Sequence, residues 1–354
     1  MQTNELISKN CTYFAAANGY NGFRSYYEET FDSGIMTKKY ILKGGPGTGK
    51  STLMKSCADA LENLVEKTDI ILCSSDINSL DGVIFTKGEK KVCIIDGTAP
   101  HECDTRIAGA CDRIINLGDF WSDIELVKSR AQIEELNKRK KRLYQKAYEF
   151  LEFAGDAWWR LYSYTNKAYR GDRELLLSIL SKIEDITQGR NANKILISSF
   201  SKTGFARISP LNFNVKRTVF ISGVYGSEYK FIEETERMLD RNEIQYTKIV
   251  SPYSEKITEG VLIPDNLLIL ADNSQNCEID TSLLLDKSIM PPEDILDFFS
   301  TTHTTALKYA RKSFAAAADS HFALEKIYSS CMDFGAIRKN TENLISEISK
   351  ILLS

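Results

Sequence analysis

No apolar run of this chain is long enough to span a bilayer, and nothing between Met1 and Tyr20 has the pattern of an export signal. A cytoplasmic protein with no membrane partner is therefore expected. Charge of one sign is also lacking. Forty-five lysines and arginines against 48 aspartates and glutamates leave a net charge of −3, which excludes a global attraction to nucleic acid. Only a local basic patch could bind it. The eight cysteines lack framework spacing and several sit in apolar segments, so they read as reduced, small hydrophobes. With 354 residues and ordinary globular composition, there is room for two domains.

What is present is concentrated in one stretch, Gly44-Gly45-Pro46-Gly47-Thr48-Gly49-Lys50-Ser51-Thr52. It follows the apolar run Tyr40-Ile41-Leu42 and precedes an apolar-periodic segment from Leu53 to Leu64. The order predicts strand, glycine loop and helix, and the spacing is that of G-x-x-x-x-G-K-[S/T], the P-loop or Walker A pattern. Glycines let successive N–H groups turn inward around phosphate oxygens, and the helix aims its positive end at them. Lys50 is expected to reach the β- and γ-phosphates, with Ser51 helping to hold Mg²⁺. The alternative is a chance glycine-rich turn.

Asp69–Cys73 and Lys91–Asp96 read as further strands, separated by the polar loop Ser74–Gly82. Asp96, at the end of its strand, is the Walker B candidate and the second magnesium ligand. Gly97 follows it where many P-loop hydrolases place a glutamate, so Asp76 or Asp81 is the candidate to activate water or an acceptor hydroxyl. Both could instead simply cap turns. His101 is a candidate to face the γ-phosphate, against a plain loop histidine. A zinc reading of His101, Cys103 and Cys111 has unusual spacing and no fourth ligand. Arg106, Arg113 and Arg160 are unranked candidates for a phosphate contact.

The first 39 residues suggest a short helix, at Tyr13–Ala17 and Gly22–Tyr27, leading into the first strand. From Trp121 to about Tyr169 a long helical stripe runs through Leu136, Leu143, Ala147, Phe150, Ala154, Trp158 and Leu161. The basic run Lys138–Arg142 on it reads as a solvated face rather than a nucleic-acid contact, because Glu134, Glu135 and Glu149 dilute it. After a strand at Lys194–Ser198, Lys216–Lys230 echoes the first glycine loop and its strand. Gly223 aligns with Gly45, Glu259 with Asp81 and Asp272 with Asp96, which indicates internal duplication. Glu228 then replaces Lys50 and Tyr229 replaces Ser51, so the second copy is expected to bind no ATP. A last helical stripe, Ala310, Phe314, Ala317, His321, Leu324 and Tyr328, places His321 in the core.

The segments GGPGTGKST (Gly44–Thr52), CSSDINSLDGV (Cys73–Val83), IIDGTAPH (Ile94–His101) and INLGDFW (Ile115–Trp121) resemble a family of bacterial tandem P-loop ATPases found mainly in Firmicutes. The resemblance implies ATP binding and hydrolysis. In that family the second copy often keeps its own lysine and serine, and this chain departs there. The expected fold is α/β: two tandem P-loop NTPase-like domains, mostly parallel sheets flanked by helices, with appended long helices. The domains are 1–205, with a helical segment at about 121–190, and 206–354. The expected function is an ATPase or ATP-dependent switch with cofactors ATP and Mg²⁺. A small-molecule phosphotransferase and a nucleotide-gated protein or nucleic-acid binding module are the alternatives, the acceptor or protein partner being unidentified. The absence of a guanine-reading N-K-x-D sequence points to ATP over GTP.

Overall fold

Along Lys38–Lys43 and Lys90–Asp96, alternate apolar residues go to opposite faces. Tyr40, Leu42, Val92 and Ile94 enter one core, whereas Ile41, Cys93 and Ile95 enter another. Strands buried on both faces need helices or loops on each side, and that requirement sets the layers. The computed structural model describes residues 10–100, 102–184, 188–189, 193–273 and 277–354.

The first half contains β1 (Asn10–Phe14), the hairpin β2 (Ala16–Gly19) and β3 (Gly22–Ser25), the short α1 (Tyr27–Thr30), β4 (Lys38–Lys43) and α2 (Lys50–Leu61). It continues with β5 (Lys67–Leu72), β6 (Leu80–Lys87), β7 (Lys90–Asp96), β8 (Asp112–Asn116), α3 (Asp123–Lys128), α4 (Arg130–Ala168) and α5 (Arg173–Leu180). The second half repeats this plan. It has β9 (Lys194–Ile195), the hairpin β10 (Ser198–Ser201) and β11 (Gly204–Arg207), β12 (Arg217–Ser222) and α6 (Ser227–Arg241). Then come β13 (Thr247–Val250), β14 (Thr258–Ile263), β15 (Leu267–Ala271), β16 (Ile279–Asp280), α7 (Glu293–Ser329) and α8 (Phe334–Leu353).

The first sheet runs β1-β5-β6-β7-β4-β8 and the second β9-β13-β14-β15-β12-β16. In each, one strand (β6 or β14) is antiparallel to its neighbours and all other pairs are parallel. The architecture is thus α/β, with mixed, mostly parallel sheets flanked by helices. The halves meet about an approximate twofold axis. Phe14 N–H donates to the Leu196 carbonyl at 2.8 Å, and the Asn18 amide donates to the Phe200 carbonyl at 2.9 Å. At both points a residue meets the one at its own position in the other half.

The helices are exchanged across this axis. Helix α5 lays Ile179 on the core of the second sheet, against Val219, Phe231 and Ile232. Helix α8 lays Leu344, Ile348 and Leu352 on the first, against Leu53, Met54 and Leu61 of α2. Each such side chain contributes roughly 1.5–3 kcal/mol on burial, so each half is held by the other's last helix. The long helices α4 and α7 pair antiparallel, with Phe150 stacked on Tyr309 and Tyr164 facing Phe299. Their buried faces match at constant spacing: Ala147, Leu151, Ala154 and Leu161 correspond to Ala310, Phe314, Ala317 and Leu324.

Four expectations change. Neither Tyr13–Ala17 nor Gly22–Ser25 is helical: Ala16–Gly19 and Gly22–Ser25 pair as a hairpin, and the apolar residues close the sheet edge and the interface between halves, with Cys11 and Phe14 packed on Leu268 and Leu270. Asp81 lies inside β6 rather than in a loop, because the hairpin ladder begins at Leu80. The second half begins before the 205/206 boundary, since β9 already belongs to the second sheet and β10–β11 mirrors β2–β3. His321 is not in the core: its side chain is 44% exposed and faces Glu325 at 3.4 Å.

Candidate functional site

The parallel strands β4 and β7 end side by side, Leu42 pairing with Asp96. From β4 the six-residue loop Gly44–Gly49, with Pro46 half-buried in it, leads into α2. Thr48 Oγ1 closes the loop by donating to the Gly45 carbonyl at 2.9 Å. Gly47 needs its lack of a Cβ twice over: its φ is +73°, and a Cβ there would stand 2.5 Å from the Glu325 carbonyl oxygen of α7. No side chain caps α2, so its first-turn N–H groups and positive end remain for a ligand. Thr52, in that turn, is exposed.

Lys50 and its surroundings define the centre. Its Nζ donates to the carbonyls of Gly44 at 3.0 Å and Gly45 at 2.9 Å and lies 3.7 Å from Asp96 Oδ2. Asp96 Oδ1 accepts from the N–H and hydroxyl of Thr98 at 2.9 and 2.6 Å. Burial raises the Asp96 pKa, while Lys50 and Thr98 pull against it. Ser51 Oγ accepts the Leu80 N–H at 2.9 Å, fixing the hydroxyl beside the start of β6. A lysine, a hydroxyl, a carboxylate and a helix N-terminus thus converge. Such a set can hold a polyanion together with a hard divalent cation.

The other candidates are dispersed. Asp76 sits in the turn after β5, where it accepts the Asn78 N–H at 3.1 Å and pairs with Lys202 from the β10–β11 turn. Burial would raise its pKa, but Lys202 and Asn78 more than offset this and lower it. Asp81 is 4% exposed. His101 lies outside the described residues. Cys111 is buried with Sγ 3.3 Å from the Met36 carbonyl, and Cys103 turns to the Asp104 carbonyl. Among the described residues no group of three histidine, cysteine or acidic side chains could hold a metal. Of the arginines, Arg106 lies by Asp32, Arg113 pairs with Glu347 at 2.6 Å and Arg160 is exposed.

Two lysines were missed. In the basic run Lys138, Arg139, Lys141 and Arg142 are exposed as expected, but Lys140 is half-buried, and its pKa is lowered by burial and then by the charge of Lys50. Carrying the α4 stripe from Leu151 back through Ala147 and Tyr144 would have marked Lys140 as inward-facing. Lys202 left no signal beyond a hairpin turn.

The second loop differs in length as well as chemistry. Only four residues, Gly223–Gly226, separate β12 from α6. The buried faces of the helices match as Leu53, Met54, Cys57 and Leu61 with Phe231, Ile232, Thr235 and Leu239, which keeps Glu228 at the place of Lys50 and Tyr229 at that of Ser51. Strand register corrects one pairing. Ile221 pairs with Ala271 as Leu42 does with Asp96, so Asp272 stands one residue beyond the Asp96 position. Burial pushes the Glu228 carboxyl up to about 7, and its Oε2 has no hydrogen-bond partner among the described residues. Arg207 binds Glu259 and, at 3.2 Å, Asp272. Trp158 and Tyr162 of α4 close over Gly226, where a Cβ would stand 2.5 Å from the Tyr162 ring. Aromatic rings and an internal ion pair therefore fill the region that remains polar in the first half. Comparison of the chain with protein-family models, curated proteins and solved structures gave no match.

Proposed function

We propose that the first half is a P-loop domain holding one Mg-ATP, and that the chain is a cytoplasmic ATPase or ATP-dependent switch. The observation that carries this reading is the position of Lys50, its ammonium tied to the carbonyls of Gly44 and Gly45 with Ser51 and Asp96 alongside. Backbone N–H groups of Gly45–Thr52 would bind phosphate oxygens, and Lys50 would offset charge on the β- and γ-phosphates.

The residues present fit a magnesium ion. Ser51 offers a hydroxyl oxygen already oriented by Leu80, Asp96 offers a carboxylate, and phosphates and water complete an octahedral shell. When bound, Mg²⁺ would neutralise charge developing on the transferred phosphoryl group. Hydrolysis breaks the bond from the γ-phosphorus to the bridging oxygen, forms one to a water oxygen, and sends the water's proton out with phosphate. Asp76, its side chain 28% exposed against a buried Asp81, is assigned to position that water. The preference for ATP rests on the family resemblance of Gly44–Thr52, Cys73–Val83 and Ile94–His101.

The test is phosphate release and nucleotide binding by purified protein with Mg-ATP, beside Lys50→Ala. Release that depends on Lys50 supports an autonomous ATPase, and tight binding without release supports a switch. Absence of binding in the wild type overturns the reading.

A further inference from the structure

Three lysines from three separate elements connect, directly or through a neighbour, to the glycine loop or to the Ser75–Asp76 segment. Lys50 comes from α2, Lys140 from α4, and Lys202 from the β10–β11 turn of the other half. The placement of the last two is fixed by their neighbours. One turn along α4 from Lys140, Tyr144 hydrogen-bonds Ser75 at 3.2 Å, in the segment that also carries Asp76. Lys202 reaches the same segment through its ion pair with Asp76 and lies 4.5 Å from the centre of the Phe322 ring. Phe322 is one turn of α7 from Glu325, whose carbonyl covers Gly47. Lys140 has no carboxylate partner among the described residues. Lys50 and Lys202 each face one carboxylate, Asp96 and Asp76, so with Lys140 the half-buried cations exceed their anions by one, an imbalance that favours an anionic ligand.

The approximate twofold axis supplies an independent control. The positions of Lys140 and Lys202 are occupied in the other half by His303 and Tyr20, which hydrogen-bond each other at 3.0 Å within an aromatic cluster. Lysines occur only on the side whose loop has six residues and a lysine of its own. The extra charge thus accompanies the competent loop.

Resting on the reading of this site as a Mg-ATP site, we propose that Lys140 and Lys202 bind the γ-phosphate, so that the second half completes the site by contributing Lys202. Bound ATP would take Lys202 from Asp76, and ADP, lacking the γ-phosphate, would leave that pair intact. Nucleotide state is thereby reported to the β10–β11 hairpin and to α7.

The test compares dissociation constants for Mg-ATP and Mg-ADP in wild type, Lys140→Met and Lys202→Met, with thermal unfolding as a check on folding. Methionine keeps most of the apolar stem and removes the charge; should it unfold the protein, Lys140→Gln and Lys202→Gln serve instead. Loss of a charge-assisted contact weakens Mg-ATP about ten- to a hundredfold while Mg-ADP stays within about twofold, and Lys202→Arg recovers part of the loss. Unchanged Mg-ATP affinity, or equal weakening of both nucleotides, overturns the inference and leaves the Mg-ATP site standing. If wild type binds neither nucleotide, the site reading falls and takes this inference with it.

Discussion

The hydroxyl of Tyr20 lies 3.0 Å from Nε2 of His303, and the residues at these two positions in the opposite half are Lys202 and Lys140. One pair closes an aromatic cluster around Tyr20, whereas Lys202 of the other ion-pairs with Asp76. The difference predicts stoichiometry. Calorimetric titration with Mg-ATP should give one site per chain, abolished by Lys50→Ala. Restoring charge with Glu228→Lys and Tyr229→Ser should not create a second site, because the loop remains four residues long and Trp158 and Tyr162 still cover it. Two sites in that variant would refute the account.

The loop glycines should differ in their tolerance. Alanine at either Gly47 (φ +73°) or Gly49 (φ +88°) meets a left-handed backbone, but at Gly47 it also meets the Glu325 carbonyl at 2.5 Å, whereas at Gly49 the nearest atom, in the Phe334 ring, is at an ordinary 3.6 Å. The left-handed conformation alone costs about 1–2 kcal/mol. Gly47→Ala should lose clearly more than Gly49→Ala in urea midpoint, and should also displace α7. Equal losses in the two variants would argue against the contact with Glu325.

Exchange of the last helices ties the stability of the first half to the end of the chain. Ile348 is fully buried on the core formed by α2, so Ile348→Ala should cost roughly 2–5 kcal/mol in urea unfolding. Mg-ATP affinity should fall as well, because α2 carries Lys50 and Ser51. A mutation that destabilises without touching nucleotide affinity would mean that α8 does not buttress the loop.

Arg207 is the basic partner of Glu259 among the described residues, and Glu259 is 1% exposed and also accepts the Ser198 hydroxyl. Removing one member of such a pair strands a charge, at a cost of about 3–5 kcal/mol. Arg207→Ala should be destabilised to that extent, and adding Glu259→Gln should recover part of the loss. Simple additivity of the two changes would contradict the pairing.

Glu228 gives a pH dependence with a defined sign. In the unfolded chain it ionises near the ordinary glutamate value, but in the folded protein only near 7, because burial disfavours the charged form. Between those values unfolding releases protons, so this residue's contribution makes stability fall as pH rises from about 4.5 to about 7 and level off above. Glu228→Gln should flatten that slope and raise stability at pH 8 by about 3 kcal/mol. Guanidinium unfolding across this range measures it, and an unchanged slope would show that the carboxyl is already ionised when folded.

Sequence alone determined what neighbouring residues control. The glycine spacing before Lys50, the apolar runs Tyr40–Leu42 and Val92–Ile95, and the stripe through Ala147, Phe150 and Ala154 all follow from backbone preference and side-chain period. Those rules act over a few residues, so strand, loop and helix were legible there without a fold. Tyr13–Ala17 was not, because apolar content suits helix and strand alike and only pairing with β5 decides. Asp81 was misplaced for a similar reason: a ladder with β5 and β7 overrode a polar segment. The register of Ala271 against Ile221 required the sheet itself, since a one-residue shift in a loop leaves no local mark. Tertiary structure alone decided that α8 covers the first sheet, that α7 closes on Gly47, and that Lys202 meets Asp76 across 126 positions of chain. Contacts at that separation depend on how whole elements pack, and no local preference in the residues themselves specifies the partner.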